Sequence, residues 1–133
     1  SLGAGNTGKF FDLETTHRVA EFKFINWKGG SESIRQNQLF KDFYLLAEHD
    51  TSKRRCLYIV GKTHPLKFLQ GGRSLASVMG RNNKLWRDFK RRYGERFSLV
   101  SEYYEYRKSL VDLIDITVII REFKSMDNID EGI

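Results

Sequence analysis

The sequence predicts an α/β domain, on three observations. Strand-like and helix-like stretches follow one another in the order strand, strand, helix, strand, then a helix and further strands. The 133 residues suffice for one domain with a core of its own. An apolar content of 40% and an aromatic content of 14% exclude a disordered chain.

The elements can be justified in order. Residues 1–9 are Gly-rich and read as a loose leader ahead of a single domain over 10–125. FFDLE and RVAEFKFINW, across 10–27, alternate as two strands of a hairpin around Thr15-Thr16-His17. After a Gly29-Gly30 loop, Ser33 with Gln36 matches a capping box. It opens a helix over 33–48, with Ile34, Leu39, Phe43 and Leu46 as its apolar stripe. CLYIVG (56–61) is a short apolar run between turn signals, as a buried strand would be. Ser74 to Met79 reads as a short helix. Asn83 is the expected cap of another, KLWRDFKRRYGERF, with Trp86, Phe89 and Tyr93 on its apolar side. The aromatic stretch 97–108 and the β-branched run DITVIIREF (115–123) read as strands. Residues 126–133 read as a frayed tail.

Composition narrows the function classes. Twenty-three Lys and Arg against seventeen Asp and Glu leave a net charge of +6, which suits a polyanionic partner. A single cysteine, Cys56, excludes a disulfide framework and any multi-cysteine metal site within the chain, and fits a reducing, cytoplasmic compartment. No apolar run approaches the roughly 20 residues of a spanning helix.

Gly3 to Lys9 fits the G-x-x-x-x-G-K pattern of a phosphate-binding loop. The chemistry of that loop needs Ser or Thr next, to hold magnesium, and a buried strand before it. Phe10 follows instead and only Ser1-Leu2 precede, so the match is a decoy.

Glu21-Phe22-Lys23 is the stronger signal. Side chains alternate along a strand, so Glu21 and Lys23 share one face, while Ala20, Phe22 and Phe24 take the other and would pack on a helix. A two-residue Thr15-Thr16 turn sets Asp12 opposite Val19 and so on the Glu21/Lys23 face. Glu14 has the same parity and is the reserve ligand. Asp12 and Glu21 would chelate a hard divalent cation such as Mg²⁺ or Mn²⁺ through oxygen, with the backbone carbonyl of Phe22 as a third ligand. Lys23 would orient the attacking water or balance charge on a phosphorane. This is machinery for phosphodiester hydrolysis.

Asp12 followed by Glu21-x-Lys23, in strand–strand–helix–strand order, resembles the PD-(D/E)XK nuclease superfamily across about residues 10–61. The resemblance implies a restriction endonuclease-like core, a mixed central sheet flanked by helices. It implies cleavage of DNA, less readily RNA, in settings that include phage defence. It assigns the metal to Asp12 and Glu21 and the water to Lys23. The helix after the motif often adds a polar residue to such sites, which here points to Gln36 and Gln38, with Arg35 on a phosphate. Phe11 stands where the family often has Pro. A helix and strand that usually precede the Asp strand have only eleven residues available, so a longer parent protein, a homo-oligomer or another partner chain would complete the fold. The alternatives are a non-catalytic nucleic-acid-binding domain on the same fold and an assembly module with an exposed strand edge near 10–14.

Two further features complete the reading. Arg81, Lys84, Arg87, Lys90, Arg91 and Arg92 form a cationic ridge suited to phosphate backbones. A second triplet, Glu122-Phe123-Lys124, has no amphipathic helix behind it and reads as a solvated strand end. His17, His49 and His64 lack metal-ligand spacing. Cys56 and Trp27 read as packing residues, and Tyr103, Tyr104 and Tyr106 as strand surface or a base-stacking platform.

Overall fold

The computed structural model describes residues 11–23, 32–117 and 121–122. The leader, the Gly29-Gly30 loop, Phe24, Trp27, Lys124 and the tail lie outside them. The chain forms an α/β domain with a four-stranded mixed sheet, in the order β1 (Leu13–Glu14), β2 (Arg18–Lys23), β3 (Arg54–Ile59) and β4 (Asp112–Asp115). β1 and β2 are antiparallel; β2, β3 and β4 run parallel. α1 (Ser33–Glu48) connects β2 to β3. α2 (Thr63–Leu69), α3 (Leu75–Met79), α4 (Asn83–Tyr93), α5 (Val100–Arg107) and a 3₁₀ turn (Lys108–Leu110) connect β3 to β4. No helix among the described residues is long and apolar enough to cross a membrane.

Both crossovers advance the same way across the sheet, and right-handed crossovers of that kind set their helices on one face. Val19, Leu57 and Ile59 on that face join Leu39, Phe43 and Leu46 of α1 in one core. The core is aromatic where α1, α4 and α5 meet. The Tyr103 ring lies 5.6 Å from both Phe40 and Tyr44 and 5.7 Å from Phe89, offset or edge-on as ring quadrupoles prefer.

The hairpin, α1, β3, α3 and α4 stand where the residue pattern predicts them. Several details differ, each for a physical reason. The helix-covered face of β2 carries Val19, Glu21 and Lys23, not Ala20 and Phe22, because the β2–β3 register puts Val19, Leu57 and Ile59 on the same side. Ser33 is the first helical residue of α1 and not its cap; Glu32 precedes it and makes no side-chain cap. Ile34 is 70% exposed, so the buried stripe starts at Leu39. Asn82 caps α4 by accepting the Leu85 N–H at 3.0 Å, and Gly94 at φ 57° ends that helix after Tyr93.

Two predicted strands differ. Residues 100–107 are helix α5: Val100, Tyr103 and Tyr104, three and four apart, bury one face. The Glu102 carboxylate accepts the N–H groups of Ser98 and Leu99 at 2.7 and 2.9 Å and fixes the helix start. Of the predicted strand 115–123, the described residues keep Asp115 in β4, and the Ile116 N–H still donates to the Ile59 carbonyl at 2.9 Å. The Asp115 carboxylate accepts the N–H groups of Gly61 and Thr117 at 3.0 and 2.9 Å, and Thr117, Arg121 and Glu122 are helical. α2 carries Pro65 in its first turn, where a missing N–H costs nothing.

Candidate active site

The site begins at the open end of the hairpin. Thr15 Oγ1 accepts the N–H groups of His17 and Arg18 at 3.2 and 3.0 Å, and the Thr15 N–H donates to the Arg18 carbonyl at 2.8 Å. The turn therefore sits on Thr16-His17 and pairs Leu13 with Ala20 and Glu14 with Val19. The register lies two residues from that of a Thr15-Thr16 turn, and a shift of two preserves the face. Asp12 therefore comes level with Glu21 itself. Side chains then continue the ladder. The Asp12 N–H donates to Glu21 Oε2 at 2.7 Å, and the Phe22 N–H donates to Asp12 Oδ2 at 3.1 Å. One oxygen of each carboxylate is used in this exchange; Asp12 Oδ1 and Glu21 Oε1 accept no hydrogen bond among the described residues.

The Phe22 carbonyl faces the same edge. The Arg54 N–H donates to the His17 carbonyl at 2.9 Å, so odd-numbered residues of β2 point their backbone groups at β3. Phe22, being even, points its N–H and C=O toward Asp12. Two carboxylates and a carbonyl thus converge at one strand end, an all-oxygen donor set that fits a hard divalent cation. Among the described residues, no three His, Cys, Asp or Glu side chains gather closely enough to hold a metal by themselves. A cation here would complete its shell with water and substrate oxygens.

Lys23 lies one step further along the same face. Its Nζ is 2.9 Å from Asp42 Oδ2 on α1. The contact is an ion pair at hydrogen-bond distance. Asp42 is only 7% exposed. Burial raises its carboxyl above the usual range, opposed by Lys23. Burial likewise pushes Glu21 up to about 7; the Asp12 N–H opposes this, and the Asp42 and Asp12 charges add to it. Asp12, Glu21 and Asp42 therefore share one electrostatic environment, with Lys23 as the cation within it.

The helix residues divide. Gln38 and Arg35 line a small pocket with Lys23, Leu39, Ile59 and Pro65, of about 20 Å³, room for about one water. The Arg35 guanidinium pairs with Glu32 at 2.6 Å. Gln36 is on another side of α1, where its Oε1 accepts from Arg73 at 2.7 Å, so it is not brought to Lys23. Glu14 pairs with Lys53 at 2.7 Å and stays apart from Asp12 and Glu21. Glu122 is exposed on helical backbone. Cys56 is buried in β3. His17 lies in the hairpin turn, His64 in α2, and His49 packs edge-on against Phe11 with ring centroids 4.9 Å apart.

The cationic ridge on α4 is narrower than its sequence. Arg91 and Arg92 both bind Asp88, at 2.6 and 2.9 Å, and Lys90 pairs with Glu95. Arg81, Lys84 and Arg87 are exposed and have no ion pair among the described residues. Of the tyrosines, Tyr103 and Tyr104 are buried. Tyr106 is 40% exposed, with Arg96 and Arg107 over its ring at 4.4 and 4.6 Å, so cations already occupy the surface a base would stack on.

Two features escape the sequence reading. Asp42 is one; its signal was an acid placed three residues after Leu39 and four before Leu46, on an apolar stripe. The other is Glu48, at the end of α1. Its carboxylate accepts from the hydroxyls of Tyr93 and Tyr103, the latter at 2.7 Å, and from Arg107 Nε at 3.2 Å, with Arg92 3.5 Å away. Comparison with protein-family models, curated proteins and solved structures finds no match to this chain.

Proposed function

We propose that this domain is a metal-dependent nuclease that hydrolyses phosphodiester bonds, DNA before RNA, at Asp12, Glu21 and Lys23. The observation that carries the reading is the pair of bonds across the strand end: the Asp12 N–H donates to Glu21 Oε2 and the Phe22 N–H donates to Asp12 Oδ2. They tie both carboxylates to one strand end, each through one oxygen. In this reading Asp12, Glu21 and the Phe22 carbonyl hold Mg²⁺ or Mn²⁺. Such an ion, when bound, polarises the scissile phosphate and acidifies a water. Lys23 supplies an ammonium on the same face, to orient the attacking water and offset charge on the phosphorane. Gln38 and Arg35 border the pocket next to Lys23, where a phosphate oxygen would find donors. Arg81, Lys84 and Arg87 hold the backbone at longer range. A restriction endonuclease-like fold is part of the same proposal; it is supported by the hairpin–helix–strand order and the mixed sheet.

The test is cleavage of end-labelled single- and double-stranded DNA and RNA with Mg²⁺ or Mn²⁺. Glu21→Gln and Lys23→Ala, each folded, should lower the rate at least about a hundredfold. Cleavage retained in either contradicts the reading. Replacing Arg81, Lys84 and Arg87 by Ala should weaken binding and reduce the salt slope of log K by about 2 to 3. That loss together with no cleavage by the wild type would identify a non-catalytic binding domain instead.

A further inference from the structure

Lys23 has a choice of partner. Glu21 and Lys23 are two residues apart on one strand face, about 7 Å between Cα atoms, well within reach of a lysine side chain. In solution an ammonium so placed would collapse onto Glu21 and occupy the oxygen a cation needs. It does not do so here. Its Nζ lies 2.9 Å from Asp42, and no ion pair joins it to Glu21 among the described residues. Asp42 is held from behind: its helix packs Leu39, Phe43 and Leu46 into the core, and its own side chain is 10% exposed. A carboxylate so buried depends on that ammonium for its compensation, because an unpaired buried charge is strongly unfavourable.

We propose that Asp42 is a positioning residue that withholds Lys23 from Glu21 and so keeps the Asp12–Glu21 carboxylate pair open to a divalent cation. The effect on the cation rests on the metal-site reading above; the choice of partner by Lys23 does not. Asp42 touches neither cation nor substrate in this scheme and acts only through Lys23.

A double-mutant cycle on Mn²⁺ affinity, read by calorimetry on the full chain, separates this role from simple charge addition. With Asp42 present, Lys23→Met should change the Mn²⁺ dissociation constant less than about twofold, since Lys23 is already engaged. Asp42→Asn should weaken Mn²⁺ about tenfold, and adding Lys23→Met to it should recover most of that loss. An equal effect of Lys23→Met in both backgrounds overturns the proposal, because independent charges would add. A metal-free arm uses ¹⁵N-lysine-labelled protein and the Lys23 ammonium resonance. Glu21→Gln should leave that resonance in place in the wild-type background and move it in the Asp42→Asn background. Movement in the wild-type background overturns the proposal, and this comparison stands whether or not the Asp42 variant folds. Wild type that binds no Mn²⁺ would remove the metal-site reading, while the ammonium resonance still decides where Lys23 sits.

Discussion

α1 takes two carboxylates out of water, and the two are treated in opposite ways. At its C-terminal end, Glu48 is surrounded by donors: two tyrosine hydroxyls, the Arg107 guanidinium and Arg92. Six residues earlier, Asp42 has a single ammonium, while Glu21 on β2 has one backbone N–H. The first arrangement ties α1 to α4 and α5 and leaves the carboxylate nothing more to bind. The second leaves carboxylates under-compensated at a strand end, and their raised pKa values express that shortage. A buried charge that is fully partnered belongs to the architecture. One that is left short has capacity for a ligand.

Substitutions can break this contrast, and the largest effect should come from the saturated end. Glu48→Ala would leave the buried Tyr103 hydroxyl and the half-buried Tyr93 and Arg107 without their shared acceptor and should cost about 3 kcal/mol in urea unfolding. Tyr103→Phe removes one donor from the same carboxylate and should cost about 1–2 kcal/mol. At Asp42 and Glu21 the sign reverses. Glu21 titrates near 7 in the folded chain against an ordinary 4.5. Between those values the folded state keeps a proton that the unfolded chain has released, so stability should fall as pH rises from about 4.5 to 7. Glu21 is only half-buried, and solvent screening reduces the effect to about 1 kcal/mol. Glu21→Gln should flatten that slope and match or exceed wild-type stability at pH 8 in thermal melts without metal. The smallest effect is local. Asn82→Ala should cost about 1 kcal/mol as a lost helix cap, whereas Asn83→Ala, one residue inside the helix, should cost almost nothing.

The site was more legible than the second half of the fold. Strand alternation put Asp12, Glu21 and Lys23 on one face, and a turn seated one residue later than expected did not disturb this because it moved the register by two. What alternation could not show was which face the helices cover; that follows from the crossovers, and it turned the motif toward Asp42. Tyr103, Tyr104 and Tyr106 read as strand because aromatic residues favour sheets. The spacing of Val100, Tyr103 and Tyr104 and the reach of Glu102 to the preceding N–H groups decide for a helix. The run after Asp115 is β-branched, yet the Asp115 carboxylate binds Gly61 and Thr117 together, and Thr117 is helical. The Glu48 cluster joins residues up to 59 apart in sequence, a separation no local pattern reports.

The central claim is that the Asp12–Glu21 pair is a cation site. Calorimetric titration of the wild type and of Glu21→Ala with Mn²⁺, alone and with a DNA oligonucleotide present, tests it most directly. One Mn²⁺ site in the wild type that disappears in Glu21→Ala, with the thermal melt otherwise preserved, is the predicted result. Absence of binding in the wild type even with DNA, or binding that survives Glu21→Ala unchanged, would contradict it.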